Sequence, residues 1–362
     1  MASLTSNLPL LVGTRSLVRG PHVEVADSAR AWDAYVSRHP LATIYHLHAW
    51  KTVAETVYGM RAPFLVARDV KGGAIRGVLP LVRVPRPFAT YLTTGLFGSY
   101  GPILADSEEH SRALIDEAKR RVDAGDASFL HLKVLGTVPE DSGLERREEW
   151  VTALLDLGEP VEQLWSRLRP PMRTKIRHAQ RAGLVVEYGR HWFPAFYDVL
   201  SENMLRKGSP IYGRRFMGAL LEALGPRGEV AVVRQGGRIV TGALLAAFHG
   251  TLFVPFVSSR PSAFQLRPNN LLYWELARRA LEMGLHTLDF GTSLRDSTGL
   301  AFKQSWKPRI EPVGSYVYAA RGRAPDLAPV DGVLARNVVK VWSKLPRAVA
   351  EALGPMVCRW IA

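Results

Sequence analysis

One order of elements occurs twice along the 362-residue chain. The first pass runs F-L-V-A-R, a glycine turn, A-I-R-G-V-L-P-L, a glycine-rich strand segment, a helix carrying Lys119, Arg120 and Arg121, then F-L-H-L-K. The second runs V-A-V-V-R, a glycine turn, R-I-V-T-G-A-L-L, an aromatic strand, a helix carrying Arg278 and Arg279, then H-T-L-D-F. A period of about 150 residues is too long for a solenoid, whose repeats are one supersecondary unit each. It predicts two copies of one mixed α/β domain, over residues 22–150 and 151–320, with a basic tail at 321–362. Helices set between runs of strands, rather than after every strand, predict a mainly antiparallel sheet with helices on both faces.

Composition bounds the chemistry. A hydrophobic fraction of 47% supplies ample core. The lone cysteine, Cys358, excludes an intrachain disulfide and any cysteine-built zinc site. It is expected to behave as a small buried apolar group. His46 and His48 lie two apart with no carboxylate close by in sequence, so a structural role is expected and no metal. The first residues lack a basic segment ahead of their short apolar run, which argues against a signal peptide. No stretch approaches 18 uninterrupted apolar residues, so no span is expected and a cytoplasmic protein is. The formal charge of +14 favours anionic partners: nucleic acid, acidic lipid surfaces or phosphate-bearing small molecules.

Three stretches concentrate polar chemistry. In L-H-T-L-D-F-G-T-S-L-R-D-S-T-G-L-A-F-K-Q-S-W, residues 285–306, a buried strand breaks at Asp289-Phe290-Gly291 and crosses a polar loop. It ends with Lys303 flanked by Phe302 and Trp306. Residues 166–181 hold six arginines and lysines and no acid. Pro170-Pro171 interrupts the preceding helix, and Arg173, Arg177 and Arg181, four apart, form one stripe with Lys175 nearby. The tail reads as a basic amphipathic helix broken at Pro346 and Pro355. It suits docking on an anionic membrane at the inner face, or packing back on the body.

The order of elements, together with R-T-K-I-R-H-A-Q-R-A-G, P-N-N-L-L-Y-W-E, D-F-G and F-K-Q-S-W, resembles the FemAB/FemX family. That family consists of tandem GNAT (acyl-CoA N-acyltransferase-like) domains. The match is nearest to the FemAB-related proteins of the exosortase and exopolysaccharide type, and covers about residues 22–320. The resemblance implies an α+β fold of two GNAT-like domains. It implies acyl or aminoacyl transfer to an amine of a cell-envelope precursor, such as a peptidoglycan or exopolysaccharide intermediate. The donor would be aminoacyl-tRNA or an acyl thioester such as acyl-CoA, with no further cofactor and no metal. In such folds, backbone N–H groups stabilise the oxyanion where two central strands splay. Here that falls near residues 253–258 against 286–291, with Pro255 as a distortion.

On this reading Asp289 accepts a proton or orients the amine; as a plain residue it is a turn aspartate. Lys303 stabilises an oxyanion or a phosphate-bearing leaving group, its aromatic flanks arguing against a merely solvated lysine. Arg173, Lys175, Arg177 and Arg181 grip phosphates of a precursor or of tRNA, or form a solvated basic face. Asn269 begins the helix where coenzyme A enzymes place a glycine-rich pyrophosphate loop. Here that stretch is Q-L-R-P-N-N, without either glycine, which weakens a coenzyme A donor. Asn270 is expected to cap that helix, Tyr273 to line the cleft, and Phe302 and Trp306 to contact substrate. The rival from another class is a non-catalytic protein that uses a basic cleft to hold nucleic acid or a lipid-linked glycan.

Overall fold

A computed structural model describes residues 20–86, 89–322 and 339–361. The first half supplies strands β1 (His22–Val25), β2 (Leu65–Arg68), β3 (Ile75–Leu79), β4 (Val82–Arg86), β5 (Ala89–Thr93), β6 (Leu104–Ala105), β7 (Phe129–Leu135) and β8 (Glu145–Asp156). The second supplies β9 (Leu184–Tyr188), β10 (Gly228–Gln235), β11 (Arg238–Phe248), β12 (Thr251–Ser259), β13 (Thr287–Leu294) and β14 (Arg309–Tyr318). Helices α1 (Ala29–Arg38), α2 (Ala49–Tyr58) and α3 (Glu108–Asp123) belong to the first half. The second half has α4 (Val161–Arg167), α5 (Pro170–Arg181), α6 (Phe193–Arg206), α7 (Arg214–Ala223), α8 (Pro268–Glu282), α9 (Thr298–Gln304) and α10 (Arg347–Ile361).

The duplication is real in three dimensions. In the first half β5 runs parallel to β7 across α3; in the second, β12 runs parallel to β13 across α8. Every other strand pairing among the described residues is antiparallel. Local sequence sets the connecting helices. Ser107 caps α3, accepting from the His110 N–H, with Glu108 and Glu109 in its first turn and Arg120 and Arg121 in its last. The two prolines at 170 and 171 begin α5 rather than breaking a helix, since proline at the first turn gives up no intrahelical bond.

The halves are not two closed sheets. Ten strands form one sheet in the order β4-β5-β7-β14-β8-β13-β12-β11-β10-β9, and β1-β2-β3-β6 form a second, smaller one. The last strand of each half is lent to the other: β14 pairs with β7, and β8 pairs with β13. β8 and β14 then pair with each other along the seam. The boundary expected at residue 150 therefore lies inside β8. The chain first leaves the small sheet between β3 and β4, where Pro80 supplies no amide donor to a ladder.

One core packs the face of the large sheet that carries α6 and α7, together with α1 and α2. A second packs the face carrying α4, α5 and α8, and a third lies under α3. Alternation along β12 divides its side chains accordingly: Phe253 and Phe256 join the first core, Leu252 and Val254 the second.

The tail packs back on the body. Ala350, Gly354 and Cys358 are buried, and α10 continues through Pro355 instead of breaking there. The remainder of the expected tail, 323–338 and 362, lies outside the described residues. No helix among the described residues is long and apolar enough to cross a membrane.

Candidate active site

β12 and β13 pair only over Thr251–Phe253 and Thr287–Asp289, then separate. Two irregularities drive them apart. On β12, Val254 and Pro255 stand opposite the single residue Leu245 of β11, a bulge at the residue that cannot donate to a ladder. On β13, the register to β8 shifts between Asp289 and Thr292, and Gly291 takes a φ of 74° that favours glycine. The segment beyond D-F-G is thus not a loop: β13 bends and continues to Leu294.

The separation opens a cavity of about 280 Å³. Its walls are residues 254–257 of β12, Phe290, Gly291 and Thr292 of β13, and Lys303. Leu200 and Met204 of α6 and Ile211 and Tyr212 of the α6–α7 loop close one side, and Tyr45, Phe97 and Gly98 come from the first half. The hydroxyls of Tyr45 and Tyr212 make no hydrogen bond within the described residues. Tyr45 is held by rings, 5.0 Å from Tyr100 and edge-on to Phe253 at 6.0 Å. Phe97 has a φ of 52°, rare for a side chain that large, and packs against Phe216 at 4.4 Å.

Lys303 sits on α9, a short helix where the sequence predicts a loop. Ser297 caps it, accepting from the Leu300 N–H at 3.2 Å. The Lys303 side chain is buried, and its Nζ donates to the carbonyls of Gly291 (2.7 Å) and Thr292 (3.0 Å). Burial pushes its pKa down to about 8, against the opposing pull of the Asp289 charge. An ammonium has three donors, so one remains beyond the two carbonyls.

Asp289 is committed elsewhere. Its carboxylate accepts from the Tyr100 hydroxyl, from Thr152 Oγ1 (3.0 Å) and from the Gly291 N–H (2.7 Å). Burial raises its pKa, opposed by those three donors and by Lys303. It joins the first half (Tyr100), the seam strand (Thr152) and the β13 bend beneath the cavity, and does not line it. Lys303 and Asp289 thus meet at one residue, Gly291, from its carbonyl and its amide.

The other expected contacts are placed apart from the cavity. Phe302, Trp306 and Tyr273 do not line it; with Phe290 they form an aromatic cluster on the α8 side, Tyr273 stacking on Phe290 at 4.6 Å. Their bulk went into the core behind the site. Asn269 accepts from Ser259 Oγ (2.5 Å), tying the start of α8 to the end of β12. Asn270 does not cap: the cap position is Arg267, at φ 59°, and Asn270 donates to Met172 Sδ (3.0 Å). Met172, Ile176 and Ala179 bury one face of α5, which directs Arg173, Lys175, Arg177 and Arg181 outward on the α8 side. None of the four lines the cavity, and none makes an ion pair among the described residues, so they and Lys303 do not share one cleft. Arg177 lies over the Trp165 ring at 5.3 Å.

Sequence reasoning missed Tyr45, Phe97, Gly98, Tyr212 and Tyr100. They carry no motif and lie far from residue 303 in the chain. His46, beside Tyr45, is structural: its ring bonds Thr43 and the Pro102 carbonyl (2.9 Å), and burial lowers its pKa to about 4. No cluster of histidine, cysteine or acid among the described residues could hold a metal ion.

Comparison with known proteins agrees with this geometry. Residues 166–304 match the acetyltransferase (GNAT) domain model. A search of curated proteins found no match. Among solved structures the chain is similar to FemX, with a TM-score of 0.66 and 17% identity over 82% of this chain and 97% of that one. It is similar to the C-terminal domain of a putative lysylphosphatidylglycerol synthetase from Agrobacterium fabrum (TM-score 0.56, 15% identity, 81% of this chain and 92% of that one). It is similar also to a tandem GNAT protein from the clavulanic acid biosynthesis pathway (TM-score 0.51, 12% identity, 84% of this chain and 100% of that one). Identities this low speak for the fold. The chain thus has the tandem GNAT fold seen in FemX, and its residues 166–304 match the GNAT acetyltransferase domain model.

Proposed function

We propose that the protein transfers an acyl or aminoacyl group to an amine of a cell-envelope precursor, at the separation of β12 and β13. The observation that carries this reading is the buried Lys303 amine at the mouth of a strand separation walled by both halves. In the reaction the amine nitrogen bonds to the acyl carbon, the ester or thioester bond to the donor breaks, and a proton leaves the amine through water. Negative charge develops on the carbonyl oxygen. The third donor of Lys303 and the β12 amides left without a strand partner stabilise it. Asp289 acts one step back, holding Gly291 in place.

A cell-envelope acceptor is supported by the FemX likeness and by the likeness to a putative lysylphosphatidylglycerol synthetase, whose name joins an amino acid to a lipid. The donor is aminoacyl-tRNA or an acyl thioester. The start of α8 has no glycine, and Arg267 occupies its cap, which favours a donor other than coenzyme A. The outward cations of α5 suit the phosphates of such a donor or acceptor. The test is incubation with aminoacyl-tRNA and acyl-CoA panels and peptidoglycan and exopolysaccharide precursors, followed by mass spectrometry. A mass gain on the acceptor supports the reading. Tight binding of precursor without any gain, across the panel, points to a non-catalytic binding protein.

A further inference from the structure

We propose that the exposed face of α10 docks the protein on an anionic lipid bilayer. Val349, Leu353, Met356 and Trp360 are spaced four, three and four apart and form one stripe, each 40–58% exposed. The buried face, with Ala350, Gly354 and Cys358, lies opposite. The helix's one acid, Glu351, belongs to the inner side, where Arg347 and Ser201 hold it. The outer face therefore presents large apolar side chains, a tryptophan among them, and no acid.

Arg359 adjoins that stripe on the helix, and Lys340 and Lys344 precede it in the chain. Lys340, Lys344 and Arg359 are exposed and make no ion pair among the described residues. Beside Met356 a cavity of about 600 Å³ opens, rimmed by Arg214, Arg215 and Arg359 over Tyr58 and Tyr197; its one acid, Glu351, is paired with Arg347, and Arg214 is paired with Asp198. An apolar ridge next to a guanidinium-rimmed notch matches the acyl boundary and the phosphate of an anionic lipid respectively. Nucleic acid would leave the ridge unsatisfied.

The placement of α10 gives the docking a consequence for the candidate site. A Cβ added at Gly354 would lie 2.7 Å from the Ile211 carbonyl oxygen, and one at Gly213 2.9 Å from Pro355. The helix thus sits directly on the α6–α7 loop, whose Ile211 and Tyr212 wall the cavity. A docked α10 holds that wall close to the bilayer, where a lipid-borne acceptor would be found. The docking itself stands on α10 and the cations around it, and not on the identity of the acceptor.

The test is co-sedimentation of the full-length protein with phosphatidylcholine vesicles, with and without phosphatidylglycerol, at about 0.15 M salt, where long-range attraction is screened. The wild type is expected on the anionic vesicles and not on the neutral ones. The L353S/M356S/W360S variant, altered only at exposed positions, is expected to keep its melting temperature and lose binding about ten-fold or more. Arg359→Glu is expected to weaken it severalfold. Wild type that stays in the supernatant with anionic vesicles overturns the proposal, as does a triple variant that binds as wild type does. Conversion of a wild-type dimer to a monomer by the triple variant, with vesicle binding unchanged, would make the stripe a contact between copies instead. These readouts need no acyl transfer, so they stand or fall apart from the proposed reaction.

Discussion

Lys303 and Asp289 occupy adjoining positions and have different work. The Lys303 pKa lies at about 8, below the ordinary lysine value, because its ammonium is buried. If the charged form stabilises the oxyanion, transfer falls as pH rises through about 8, measured as a kcat profile. A rate that climbs through the same window would assign the neutral amine the role of base. The stability sign is the reverse. Below the folded pKa the burial penalty is fully present; between the folded and unfolded values only the unfolded chain keeps the proton, so stability rises with pH. A melting-temperature series from pH 7 to 10 is expected to show that gain in wild type and to lack it in Lys303→Met. Asp289→Ala strands the donors of Tyr100, Thr152 and Gly291, at a cost of ~2–4 kcal/mol in chemical denaturation. Its folded fraction should retain more activity than Lys303→Ala does, since the carboxylate does not reach the cavity.

At the scale of elements, the sequence disclosed what local chemistry sets and concealed what pairing sets. The Pro255 distortion was legible, because proline cannot donate to a ladder, and the strands do part next to it. The F-K-Q-S-W lysine was legible as a buried cation beside aromatics. The helix beneath it was not, since S-T-G-L reads as loop until Ser297 is seen to cap it. Phe302 and Trp306 resembled substrate contacts only because an aromatic beside a lysine reads the same whether it faces a ligand or a core. For α5, the stripe of Arg173, Arg177 and Arg181 was legible, but not that the opposite face would pack against α8 on the far side of the sheet. Charge reversal of R173E/R177E is accordingly expected to weaken binding of a phosphate-rich donor at least about ten-fold, with a reduced salt slope. Its effect on the rate at saturating donor should be small. Filter binding across a salt series reads the first, and single-turnover rates the second.

For the whole molecule, the duplication was visible as repeated order, and it fixed the mixed, mainly antiparallel fold. The exchange of β8 and β14 was not visible, because strand pairing across so many intervening residues, as in Thr287↔Asp156 and Tyr318↔Leu130, leaves no local trace in composition or period. That exchange makes the halves interdependent. Residues 157–322 expressed alone lack β7 and β8, which leaves β14 without either of its strand partners and β13 with β12 alone. This fragment is expected to show no cooperative thermal transition, and to recover one on mixing with residues 20–156. An independently folded second half would contradict the exchange as a source of stability. The cavity shares this dependence, since Tyr45, Phe97 and Gly98 reach it from the first half.

The reading of the site as a place of acyl transfer rests most heavily on the Lys303 amine. Once a donor and acceptor pair has been found by mass gain, the decisive measurement is the single-turnover transfer rate of Lys303→Ala against wild type, with donor and acceptor binding measured alongside. A loss of about 10²–10³ in rate, with binding kept within a few-fold, is expected of an oxyanion donor. A variant that folds, binds and transfers at the wild-type rate would show that the chemistry takes place somewhere other than the separation of β12 and β13.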